Sequence, residues 1–110
     1  MTLSFDDFLK VEMRVGKILS VEDFPQAKKP AYKLTVDFGP LGVKHTSAQL
    51  VSSYAKGELS GRLIVGVTNF PVKKIAGFES EFLILGAVQQ DGRVILLQPD
   101  KNAELGSRIA

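Results

Sequence analysis

One histidine, His45, and no cysteine make up the whole supply of imidazole and thiol in this 110-residue chain. Cysteine nucleophiles, thiolate metal sites and disulfides are therefore excluded, and a multi-histidine metal centre cannot be built within one copy. To act as a general base, His45 would need an orienting acid and a nucleophile, and no recognisable pair stands near it in the sequence. Its plainer reading is a side chain on a sheet face. The carboxylate pairs Asp6-Asp7, Glu22-Asp23 and Glu79/Glu81 have the character of caps and loop charges. No GxxxxGKS/T phosphate loop, GxSxG elbow, HExxH or dinucleotide fingerprint occurs. The chain is expected to bind rather than catalyse, with no metal and no cofactor.

Lysines and loop aromatics carry what binding chemistry there is. The formal charge is only +2, so clustering matters more than number. Lys28 and Lys29 form one pair and Lys73 and Lys74 another, each between stretches of strand-like pattern. Such pairs fit a phosphate-binding rim, and they fit solvated loop charges equally well. Phe24, Phe70 and Phe78 lie in or beside the same two segments, and Tyr32 opens the strand after the first. Rings in such places either cap the core, stack on unpaired bases, or wall an apolar groove for peptide together with Pro71.

The elements that must position these residues follow from periodicity. Ser4 with Asp7 reads as a capping box, Leu3 and Phe8 occupy staple positions, and a helix is predicted from Phe5 to Val11. The period then drops to two. Met13, Val15, Leu19 and Val21 are the apolar set of a long first strand, in which Gly16 signals a bulge or sharp coil. A proline-flanked loop spans Pro25 to Ala31. Tyr32, Leu34, Val36 and Phe38 alternate strictly with polar residues, and after a Gly-Pro turn Val43 to Gln49 can pair back. Val51 to Ser60 favours helical turns and Arg62 to Thr68 a strand. Asn69 to Glu79 reads as a long loop, Phe82 to Val88 as a strand, and Asp91-Gly92 as a hairpin turn before Val94 to Leu97.

Five strands with a glycine-kinked first strand and a helical insertion between the third and fourth match an all-β OB-fold, a five-stranded Greek-key barrel. A short N-terminal helix and a C-terminal hairpin are additions, and another small barrel or sandwich stays open on pattern alone. With no repeat or linker, residues 1–110 are expected to form a single domain. In an OB-fold the two lysine-bearing loops flank the face that binds oligonucleotides, with Arg14, Lys17 and Lys33 below them. The N-terminus lacks the basic and apolar regions of a signal peptide, and the apolar run Phe82 to Val88 is too short to span a bilayer. A cytoplasmic location without membrane insertion is expected. A homodimer is also expected, with Phe5, Phe8, Leu9 and the segment Ile95, Leu96, Leu97, Leu105 and Ile109 as contacts, unless these close the barrel of a monomer.

The stretch Val11 to Glu22, centred on Arg14-Val15-Gly16-Lys17-Ile18, resembles the opening strand of the tRNA-binding domains appended to some methionyl- and phenylalanyl-tRNA synthetases. Asn69-Phe70-Pro71-Val72-Lys73-Lys74-Ile75-Ala76-Gly77-Phe78-Glu79-Ser80-Glu81 is similar to the family's asparagine-to-serine loop. Ala27 to Gly39, Lys44 to Gln49 and Ser80 to Gly86 resemble its stand-alone CsaA branch. The resemblance implies an OB-fold homodimer that binds tRNA by its structure. For the CsaA branch it also implies a chaperone-like role in protein export, with unfolded or signal-bearing polypeptides and the SecA translocation ATPase as partners; a purely tRNA-binding module is the alternative. Arg14, Asn69 and Ser80 would be the RNA-facing signature, with Lys17, Lys28, Lys29, Lys73 and Lys74 beside them, and Phe24, Tyr32, Phe70, Pro71 and Phe78 would receive peptide. The chain departs from the synthetase pattern at Lys29-Pro30-Ala31-Tyr32 and at Ser80-Glu81-Phe82, where Glu81 sets an acid near the phosphate path.

Overall fold

A computed structural model describes residues 1–110. Ser4 starts α1 (Phe5–Leu9) by accepting the Asp7 backbone N–H at 3.1 Å. The reciprocal arm of the capping box is not made, because the Asp7 carboxylate takes the Lys10 ammonium at 3.1 Å. Leu3 stays exposed, and Phe5 rather than Leu3 lies against Phe8, with ring centroids 6.2 Å apart. The helix stops at Leu9, short of the predicted Val11, because Asn69 holds the turn after it. The Asn69 side chain accepts the Glu12 N–H at 3.0 Å and donates to the Lys10 carbonyl at 2.7 Å.

β1 (Met13–Asp23) is long because it serves two neighbours. Its first part pairs with β4 (Leu63–Val67) and its second with β2 (Tyr32–Asp37), both antiparallel, and Lys17 belongs to both ladders. The register shifts between Ile18 and Ser20, so the bulge lies at Leu19 and not at Gly16. One extra residue moves the inward set from Gly16 and Ile18 to Val21. Leu19, expected inside, is therefore exposed, while Val15 is buried beneath the C-terminal segment. Gly16 has a different task. A Cβ there would lie 2.6 Å from Val36 Cγ1 and 2.8 Å from Phe38 Cε1, so only hydrogen fits beneath the Phe38 ring.

β2 alternates as its pattern predicts, with Tyr32, Leu34 and Val36 buried. A 3-10 turn at Gly39–Leu41 leads into β3 (Val43–Ala48), and α2 (Lys56–Leu59) is the helical part of the insertion before β4. The expected loop after β4 is a hairpin, β5 (Lys73–Ile75) with β6 (Phe78–Ser80). Its two-residue turn places Ala76 at φ 49° and Gly77 at φ 82°, the left-handed pair that matches strand twist. The predicted strand Phe82 to Val88 splits at Leu85, because its halves take different partners. β7 (Leu83–Ile84) pairs with β4, whereas β8 (Gly86–Val88) pairs with β9 (Val94–Leu96) across the Asp91-Gly92 turn.

The main sheet runs β3-β2-β1-β4-β7, all antiparallel, and curls until its outer strands approach one another. This nearly closed five-stranded barrel is an OB-fold. Its core holds Ile18, Leu34, Val36, Phe38, Leu50, Leu59, Ile64 and Phe82, with Phe38 edge-on to Phe82 at 4.9 Å. A buried hydrogen-bond chain crosses it: the Tyr32 hydroxyl donates to the Tyr54 carbonyl at 2.8 Å, and the Tyr54 hydroxyl accepts the Leu96 N–H at 3.0 Å. The C-terminal segment closes one end. Gly106 and Ile109 donate to the Val15 and Met13 carbonyls at 2.8 and 3.0 Å, and Val15 donates to Ser107 at 3.0 Å. Leu96, Leu105 and Ile109 thus close the barrel within one copy, whereas Phe5, Leu9, Ile95 and Leu97 stay exposed. No helix is long and apolar enough to cross a membrane.

Candidate nucleic-acid interface

The outward face of the barrel is set by register. Alternation that sends Tyr32, Leu34 and Val36 inward leaves Lys33, Thr35 and Asp37 outward, opposite Ser47, His45 and Val43 on β3. On β1 their neighbours are Glu22, Ser20 and Lys17. His45 sits on this sheet face as expected, and its ring nitrogen lies 3.0 Å from Glu81 Oε1. Burial raises the pKa of the Glu81 carboxyl, but hydrogen bonds from the His45 ring and backbone outweigh it. With the nearby charges of His45 and Lys44, they hold the carboxyl below its ordinary value.

Two segments distant in sequence meet above this face. Phe24, at the start of the β1–β2 loop, packs edge-on against Phe78 of the β5–β6 hairpin, with centroids 5.5 Å apart. Lys33 covers both rings, its ammonium 5.0 Å from Phe24 and 5.4 Å from Phe78. A cleft of about 770 Å³ lies between the same loop and hairpin, with Lys28 and Lys29 on one side and Ile75 and Ala76 on the other. Lys73 and Lys74 stand exposed on β5, in register with Ser80 and Glu79. The chain's ion pairs use Lys10, His45, Lys56 and Arg93, which leaves Lys28, Lys29, Lys73 and Lys74 free for an external anion.

The remaining expected site residues are distributed differently. Arg14 donates from Nη1 to the Gly106 carbonyl at 3.1 Å, so its guanidinium holds the C-terminal segment; its Nε is buried without a partner. Asn69 uses both ends of its amide on the α1–β1 turn. Ser80 Oγ lies 2.9 Å from Thr46 Oγ1, which donates to the Phe82 carbonyl at 2.7 Å. Each signature side chain ties two segments of this chain together. Lys17 is exposed. Phe24 and Tyr32 are buried at 4% and 6% exposure, and Phe78 is half-buried, whereas Phe70 is 54% exposed beside exposed Pro71 and Val72. The aromatic set is thus a core pair, a ring under Lys33 and one ring in water. Sequence reasoning missed the apolar lining of the cleft, formed by Ala48, Leu50, Ile75, Ile84 and Val94. The two-residue Ala76-Gly77 turn was the local signal that could have found its hairpin wall.

The family described as "Putative tRNA binding domain" matches residues 13–108. The chain belongs to this tRNA-binding-domain family. Its fold is similar to that of the chaperone CsaA from Bacillus anthracis, with a TM-score of 0.95 and 44% identity over the whole of both chains. The CsaA chaperone protein from Picrophilus torridus matches with a TM-score of 0.92 and 49% identity, covering 99% of this chain and all of that one. The methionine–tRNA ligase of Thermococcus onnurineus is 43% identical over 97% of the chain. This chain spans only about 14% of that ligase's length. The tRNA-binding-domain fold here is therefore of the CsaA type.

Proposed function

We propose that this tRNA-binding domain is a non-catalytic module that takes structured tRNA by its phosphate backbone, along the edge carrying Lys28, Lys29, Lys73 and Lys74. The observation that carries the reading is the Phe24–Phe78 contact, which joins the two lysine-bearing segments and supports a single rim free of internal ion pairs. Lysines on such a rim release condensed counterions when they neutralise phosphates, each contributing about 0.7–0.9 to the log–log salt slope. Phosphate contacts position an RNA without reading its bases, so unrelated tRNAs bind alike. Equilibrium binding of labelled tRNA at several salt concentrations tests this. Replacing the four lysines by alanine makes the slope shallower by roughly three per face. An unchanged slope and affinity would remove this site while leaving the fold untouched.

The apolar cleft favours a second reading, a chaperone in protein export that holds unfolded or signal-bearing polypeptides before delivery to the SecA translocation ATPase. Nine of its fifteen lining residues are hydrophobic, more than a phosphate path needs. We place both activities in the cytoplasm and in a homodimer joined through exposed Phe5, Leu9, Ile95 and Leu97. Competition separates the readings: an excess of apolar export-signal peptide displaces labelled tRNA if the sites overlap and leaves it bound if they do not. A monomeric mass at micromolar concentration would sink the dimer.

A further inference from the structure

The barrel is not laced all the way round. β3 and β7 are the two ends of the strand order, and no ladder joins them. One stretch of the gap is clasped. The Glu81 N–H donates to the His45 carbonyl at 2.8 Å, the Glu81 carboxylate accepts the His45 backbone N–H at 2.9 Å, and Thr46 Oγ1 donates to the Phe82 carbonyl. Past this clasp the cleft of about 770 Å³ opens, with Ser47, Ala48 and Gln49 on one wall and Leu83 and Ile84 on the other.

Register identifies the backbone groups that face the gap. His45 turns both its N–H and its carbonyl toward Glu81 and away from β2, so the two-residue alternation turns those of Ser47 the same way. On the opposite wall the Leu85 N–H bonds the Val65 carbonyl, so Leu83 and Leu85 face β4 and Ile84 faces the gap. No ladder pairs Ser47 on this side, and its carbonyl takes a 3.4 Å contact from the adjacent Thr46 hydroxyl. Unused strand-edge donors and acceptors above an apolar floor are what an extended polypeptide completes, side chains down and backbone sideways. Lys28 and Lys29 are the only charged residues in the lining.

We propose that this seam receives an extended polypeptide segment that adds as a strand to the free edge of β3 at Ser47. Its apolar side chains lie on Ala48, Ile75, Ile84 and Val94, and an acidic flank faces Lys28 and Lys29. The inference deepens the polypeptide-binding reading above and rests on it. It sets the substrate class: recognition is mainly by backbone and alternate apolar residues, so of the two polypeptide classes named above the unfolded, acidic-flanked stretch is the preferred ligand and the basic-flanked export signal the weaker one.

The wild-type protein and a fluorescein-labelled peptide of alternating leucine and serine with aspartate at both ends provide the test. Two twin peptides carry N-methyl groups, one on the leucine amides and one on the serine amides. Only one of these sets faces β3, so one twin binds at least about ten-fold weaker while the other stays near the parent. Replacing the terminal aspartates by lysine weakens binding about three-fold. Amide exchange at Ser47 slows at least about ten-fold when the parent peptide is added. Equal binding of both twins with an unprotected Ser47 overturns strand addition and leaves the polypeptide-binding reading standing. Failure of the parent peptide to bind overturns the inference, while the polypeptide-binding reading is decided separately by whether the export-signal peptide of the competition above binds. Protection of Ser47 that grows with protein concentration alone, or that tRNA produces and peptide does not, overturns the inference by giving the seam to a second copy or to RNA.

Discussion

The two ends of this barrel use the same strands on opposite terms. At the closed end Phe38 and Phe82 meet edge-on, Gly16 and Gly66 make room for their rings, and the C-terminal segment is hydrogen-bonded across β1. Polar side chains there are used internally: Arg14 donates to the Gly106 carbonyl, and Asp37 accepts the Gly39 N–H. At the open end Lys28, Lys29, Lys73 and Lys74 have no internal ion pair, and the edges of β3 and β7 part over an apolar floor. Side chains that complete their contacts within the chain act on stability, and those left incomplete are available for a ligand. The two kinds of effect should therefore separate by region.

The largest expected effect belongs to the closed end. Phe38→Ala removes a fully buried ring that touches both barrel halves and should cost about 3–5 kcal/mol in chemical denaturation. A cost below 1 kcal/mol would mean that this end is not tightly packed. Gly66→Val tests the same region from the other side, since a Cβ at Gly66 would lie 2.8 Å from Phe82 Cδ2. Overpacking there should cost about 1–3 kcal/mol, with tRNA affinity unchanged wherever the variant is folded.

Glu81 lies at the boundary between the regions and makes a smaller, pH-dependent contribution. Its folded pKa is depressed below the ordinary 4.5, so its stabilisation is present above that pH and is lost as pH falls through the folded value. The pair with His45 is solvent-screened, so Glu81→Gln should lower stability at pH 7 by no more than about 1 kcal/mol. In acid, below the folded value, that loss disappears. A loss that stays the same as pH is lowered until the carboxyl is protonated would rule out the carboxylate as its source. The smallest stability effect belongs to a ring that completes no contact within the chain: Phe70→Ser should change stability by no more than about 0.5 kcal/mol, because the ring is 54% exposed. Unfolding of that variant would place Phe70 with the core and erase the contrast between the regions.

Some features of this protein could be read directly from consecutive residues. Ser4 before an apolar helical face is a cap wherever it occurs, Tyr32 to Phe38 alternates because one side of β2 must be dry, and Asp91-Gly92 turns a hairpin. The absence of cysteine and of a second histidine likewise bounded the chemistry, and the succession of strand-period stretches with a glycine in the first matched the OB-fold. Each of these is a matter of local sterics, period or residue type.

What required the tertiary structure concerns partners. Arg14, Asn69 and Ser80 looked free to face RNA, yet each is engaged by a residue far along the chain: Gly106, Glu12 and Thr46. Leu19 looked inward until pairing with β2 introduced a bulge at that residue. Phe24 and Phe78 are interchangeable in sequence with exposed Phe70, and only their mutual contact separates them. The unlaced seam between β3 and β7 leaves no local signature, because an unpaired backbone group has the same sequence as a paired one. A hydrogen bond or a burial needs two participants, and the sequence around one of them does not say where the other will be.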